Sequence, residues 1–163
     1  MTDSEAHALY EAAWQAHCNG CNDEALRILE RAIAMATCDK VKSVYLATKG
    51  GFLNRNQQHT QAVDACTEAV ALEPNNFHAF IELGIALMRL HRYKAAAEAL
   101  QSAAALRCDY SVLTVLAKVQ LLSSNPSAAR ASAEKALELN PSWDEAQAML
   151  DAARNAEARD NIE

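Results

Sequence analysis

Residues 17–21 read HCNGC, an imidazole and two thiols set around an Asn-Gly pair. Cysteine thiolates and imidazole are ligands zinc prefers, a CxxC pair can cycle as a redox dithiol, and Asn-Gly suits a tight turn because both residues tolerate positive φ. A closed zinc site needs four ligands, and no second CxxC or HxxxH follows in the chain. The remaining inventory for catalysis is thin. No serine has a G-x-S-x-G setting, no glycine-rich loop is available to cradle a phosphate, and the carboxylates are spread as solvated faces. These residues imply a non-enzymatic protein without metal or cofactor, and the meaning of HCNGC depends on the elements that carry it.

The chain has 163 residues, is 51% hydrophobic and contains only 4 Gly and 3 Pro. That length buries about two-thirds of the unfolded surface without help from metals or disulfides. Alanine dominates the apolar share, which favours helix over sheet. A formal charge of −6 with no basic tract argues against nucleic acid as a partner. The amino-terminal stretch MTDSEAHALYEAAW is too acidic for a signal peptide, and no run approaches the roughly 18 apolar residues of a membrane span. Five scattered cysteines (18, 21, 38, 66 and 108) suit a reducing compartment. The expectation is a cytoplasmic protein that neither binds nor crosses a membrane.

A period organises the sequence. Gly50 and Gly84, Ala62 and Ala96, and Ala69 and Ala103 each lie 34 residues apart, the same slots 33 residues on hold Ala117, Ala129 and Ala136, and those 37 residues back hold Ala13, Ala25 and Ala32. Within one unit, Phe77, Phe80, Leu83, Leu87 and Leu90 form one apolar stripe. After a turn at His91-Arg92, Tyr93, Ala96, Leu100, Ala103 and Leu106 form a second, so the unit is a helical hairpin. A small residue recurring in mid-helix, where Gly costs about 1 kcal/mol relative to Ala, implies a close helix crossing. Pro74 and Pro141 close hairpins, with Asn75 and Ser142 as expected caps of the next helices, and Asn125-Pro126 reads as cap and first helical residue.

This pattern resembles the tetratricopeptide repeat over residues 6–39, 43–76, 77–109 and 110–143, with KVK (40–42) as an insertion and an amphipathic capping helix at 144–159. Residues 1–163 then form one domain. Repeat two departs from the pattern at Lys49 and Cys66, where apolar residues are expected, and repeat one at Ala12 and Ala16, where larger residues are usual. The resemblance implies an all-α, right-handed superhelical solenoid of antiparallel hairpins, with the first helix of each repeat lining a groove for a partner peptide or helix.

Carried over by position, the peptide-binding residues are Tyr10 and Trp14, Asn54 and Arg55, His78, Ile81, Ile85, Met88 and Arg89, and Lys118, with His7, His17, Val44, Ala47, Gly51, Ser111, Thr114 and Leu121 also facing the groove. Aromatic and aliphatic stripes also serve as core, and that reading stays open for each of them. The Lys/Asn clamp with which one subgroup grips a chaperone's terminal carboxylate is missing, because its slots hold Tyr10 and Trp14, Ala47 and Thr48, and Ile81 and Glu82. Arg55 and Arg89 share a slot, and residues 40–107 carry eight basic against five acidic residues. A partner segment with apolar and acidic groups is therefore expected.

Within this frame HCNGC is the turn of the first hairpin. His59 and His91 sit in the next two turns; at a helix-packing distance of about 8–10 Å per repeat, His59 is within reach of a shared metal and His91 is not. The favoured reading is an adaptor or assembly scaffold. A dedicated chaperone, similar to those of bacterial secretion systems, and a metal or redox sensor at Cys18 and Cys21 are the alternatives. Self-association through exposed alanines around Ala8, Ala12 and Ala16 stays open.

Overall fold

A computed structural model describes residues 3–160. Its helices are α1 (Asp3–Cys18), α2 (Asn22–Met35), α3 (Asp39–Arg55), α4 (His59–Leu72), α5 (Phe77–Arg89), α6 (Tyr93–Leu106), α7 (Tyr110–Leu122), α8 (Pro126–Leu139) and α9 (Asp144–Asp160), with no strand among the described residues. The chain divides into two compact units, residues 1–86 and 87–163, with the boundary inside α5. In the first unit α1 packs on α2 and α3 on α4 as hairpins, and α2 meets α3. In the second, α7 packs on both α6 and α8, and α9 covers α8 and α7.

The small residues of the period form the seams. Ala13, Ala25, Ala32, Ala62, Ala69, Ala96, Ala103, Ala117, Ala129 and Ala136 all have no exposed surface. In the α3–α4 hairpin Gly50 lies directly against the Cys66 Sγ, which a Cβ at this position would overlap. This accounts for the departure at 66: the small thiol fills the space that Gly50 leaves. Lys49, the other departure, turns its ammonium outward to Glu30 Oε1 at 2.8 Å.

Four turns repeat one geometry with different residues. Gly20, Gln57, His91 and Ser124 all have positive φ, between 57° and 80°. The next residue in each case donates its N–H to the carbonyl five residues back, at 2.9 Å: Cys21 to Ala16, Gln58 to Leu53, Arg92 to Leu87 and Asn125 to Gln120. This is the Schellman arrangement, which satisfies carbonyls left open at a helix end. HCNGC is the only one of the four turns to use glycine at the left-handed position.

Helix starts differ from expectation by one residue. Pro74 and Pro141 each occupy the second position of a four-residue turn, closed by Asn76 N–H to Glu73 O at 3.0 Å and Trp143 N–H to Asn140 O at 3.1 Å. The turn consumes the residue after proline, so Asn75 and Ser142 do not cap. Asn76 caps instead, its Oδ1 accepting from Ala79 N–H at 3.1 Å. Its amide donates to Ser43 Oγ at 2.8 Å, and that hydroxyl donates to Ala69 O at 2.7 Å, a buried chain tying α5 to α3 and α4. Asn125 does cap α8, accepting from Ala128 N–H at 3.2 Å. KVK lies in the first turn of α3, which starts at Asp39 after Cys38. Leu106 is 40% exposed and leaves the α6 stripe; Ala16 is buried, while Ala8 and Ala12 are exposed.

Gly50→Ala should destabilise the protein by about 1–3 kcal/mol through overpacking, offset in part by the roughly 1 kcal/mol that Ala gains over Gly in a helix. Cys66→Ala in the same chain should remove most of that penalty. Urea denaturation of the two single variants and the double variant measures it, and additive losses would disprove the contact.

Candidate functional site

Residues four apart share a helix face, and α1, α3 and the start of α5 each offer one such face to a common groove. Tyr10 and Trp14 come from α1, the series Ala47, Gly51 and Arg55 from α3, and His78 and Glu82 from α5. The groove holds about 410 Å³. A second apolar depression of about 350 Å³ adjoins it, sharing Tyr10 and Val44. Val44 is 45% exposed, an uncovered aliphatic side chain between the two.

Aromatic packing fixes the α1 wall. The Tyr10 ring stacks on Tyr45 at 4.6 Å, and its hydroxyl lies 3.3 Å from Thr48 Oγ1. Trp14 meets Phe52 edge-on at 5.1 Å, and His17 stacks on the same ring at 4.0 Å. Phe52 is 1% exposed and Tyr45 3%, so the rings in the groove rest on a buried aromatic floor. The His17 Nδ1 lies 3.0 Å from Asn22 Oδ1. The histidine of HCNGC is thus committed to packing and to the start of α2. Cys18 and Cys21 are exposed and free. Among the described residues, no group of three or more His, Cys, Asp or Glu side chains is placed to hold a metal ion.

The charges are unequal in burial. Arg55 is exposed and has no ion-pair partner among the described residues. Glu82 is half-buried, and Asn54 Nδ2 donates both to its Oε2 and to its main-chain carbonyl, each at 2.9 Å. Its carboxylate rests against Gly51, where a Cβ would come within 3.1 Å of Oε1. Glu82 also acts on its neighbours: burial first, and this negative charge second, push the Cys66 thiol up to about 12.

Of the sequence-derived contacts, Tyr10, Trp14, Arg55 and His78 line this groove. Asn54 is turned to Glu82, with its Oδ1 3.4 Å from His59 Nδ1. Ile81 and Ile85 are half-buried and outside the lining, since the α5 residues in it are His78 and Glu82. Met88, Arg89 and Lys118 belong to the second unit, Met88 half-buried and the two cations exposed. Sequence reasoning missed Glu82 as a groove residue, and missed Phe52 and Tyr45 beneath it. The signal was Gly50-Gly51: one glycine serves the helix crossing, and the second clears room for a carboxylate.

No protein-family model matches the chain, and no curated protein sequence does. Solved structures match its fold. A MamA protein superposes with a TM-score of 0.83 at 19% identity, over 94% of this chain and 82% of that one. A tetratricopeptide repeat protein from Parabacteroides merdae gives 0.79 at 17%, over 93% and 61%. The first TPR of Spaghetti (RPAP3), solved bound to the HSP90 peptide SRMEEVD, gives 0.70 at 23%, over 74% and 97%. The fold is that of tetratricopeptide-repeat proteins.

Below pH 9 the Cys66 thiol is protonated in both the folded and unfolded chains, so its contribution to stability is fully present. Between 9 and about 12 the unfolded chain releases a proton that the folded chain retains. Stability should therefore fall as pH rises through this window, by up to about 1.4 kcal/mol per pH unit from this group. Urea melts from pH 8 to 10.5 should show that slope, and Cys66→Ala should lack it. An equal slope in both proteins would refute the assignment.

Proposed function

We propose that this chain is a non-catalytic protein-interaction module, an adaptor or scaffold, whose groove in residues 1–86 takes a segment of a partner protein. The observation that carries this reading is that Tyr10, Trp14 and the uncovered Val44 line one open groove of about 410 Å³. Aromatic side chains on a buried floor are rigid, so they take up a partner's apolar residue with little loss of conformational freedom. Capture of a peptide by the RPAP3 domain of the same fold supports the mode of use. Arg55, exposed and unpaired, suits an acidic group on the same segment. The four exposed free thiols support a reducing, cytoplasmic setting.

Trp14 lines the groove and Trp143 lies in the other unit, with its indole N–H buried and unbonded, so Trp143→Phe should be tolerated and leave Trp14 as the single emitter. Dodecapeptides selected from a displayed random library should shift the Trp14 emission on binding. Val44→Asp should weaken them by about tenfold or more, and Arg55→Glu should weaken those carrying an acid. Undiminished binding to a folded Val44→Asp protein would rule this groove out.

A further inference from the structure

We propose that the groove reads a basic residue of its partner, and that Glu82 is the acceptor; the inference rests on the groove reading above. A carboxylate offers about four acceptor sites, and the amide of Asn54 occupies one of them. No cation lies within ion-pairing distance of Glu82 among the described residues. A half-buried charge beside aromatic rings and a buried thiol loses hydration that, among the described residues, the Asn54 amide replaces in part and no cation does.

The bond to Asn54 does not require that charge. A glutamine at this position would accept the same hydrogen bond through its amide oxygen and avoid the burial cost, so holding α3 to α5 leaves the negative charge unexplained. Two features keep the carboxylate in place and available. Asn54 fixes Oε2 from one side, and Gly51 supplies the gap into which the group fits; a Cβ there, 3.1 Å from Oε1, would push it back by a few tenths of an ångström. Gly51 and Asn54 are therefore positioning residues for Glu82.

The occupant that completes this arrangement is an arginine next to an apolar residue on the partner segment. A guanidinium donates to the free acceptor sites in the plane of the carboxylate and stacks on aromatic faces, and Tyr10 and Trp14 line the same cavity. This preference is opposite in charge to an acidic peptide such as SRMEEVD, bound by the RPAP3 domain. Arg55, at the exposed end of the α3 face, leaves room for an acidic neighbour on the same segment.

The test uses the full chain with dodecapeptides selected from a displayed random library, each resynthesised with arginine replaced by citrulline, its neutral isostere. Selected peptides should be enriched in arginine. Citrulline should weaken binding to the wild type by about tenfold, and to Glu82→Gln by less than about twofold. Should Glu82→Gln fail to fold, Gly51→Ala, which displaces the carboxylate without removing it, should likewise shrink the discrimination. An equal arginine-to-citrulline loss on wild type and variant, or no arginine enrichment in peptides that Val44→Asp still blocks, overturns the inference and leaves the groove reading standing. Peptides indifferent to Val44→Asp overturn both.

Discussion

The separation of α3 and α4 is set where Gly50 lies against the Cys66 thiol, and the groove depends on that separation. A hairpin seam made of glycine and alanine lets two helices approach toward the short end of the usual 8–10 Å range. It also binds the helices without occupying the outer face of either. Successive residues on a helix point about 100° apart, so Gly50 and Gly51 face different neighbours. One meets Cys66 within the hairpin, the other the carboxylate of Glu82 from α5. The same pair of residues closes the fold and shapes the site.

Packing is repeated more faithfully than chemistry. All four hairpins turn through a left-handed residue closed by the same bond to the carbonyl five residues back, yet only the first uses glycine there. Gln57, His91 and Ser124 adopt a conformation that disfavours a Cβ, so the burial on either side, rather than local preference, holds them in it. Seen beside its three counterparts, HCNGC is the instance where the local sequence agrees with the turn. Its histidine has been drawn into the aromatic floor through Phe52, and its cysteines remain at the surface.

The hairpins were legible because their signal is periodic: each small-residue slot became a fully buried seam. What was not legible depended on a single residue of phase. Asn75 and Ser142 look like caps by type, but a proline at the second position of a turn takes one more residue before the helix can start, which hands the cap to Asn76. KVK lengthens the spacing from Ala13 to Gly50 to 37 residues, but that count does not say whether the extra residues fall in a connection or in a helix; they lie in the first turn of α3. On α5 the groove face carries His78 and Glu82, one position from the Ile81 and Ile85 that an apolar reading selects. Spacing alone does not resolve 100° of rotation.

The residue that spacing overlooked is also the one with the least local reason to be charged. Asn54, on α3, holds Glu82, and in doing so converts a flexible acid into a fixed one. Fixing a carboxylate costs side-chain entropy, and half-burying it costs hydration. Among the described residues no cation recovers these costs: the neighbouring thiol is kept protonated by burial and then by this same charge, and Arg55 stays in solvent. A binding surface differs from a core in this respect: a core must satisfy its polar groups from within, whereas a site can leave one for its ligand to satisfy. By that criterion the aromatic wall supplies affinity and Glu82 supplies discrimination.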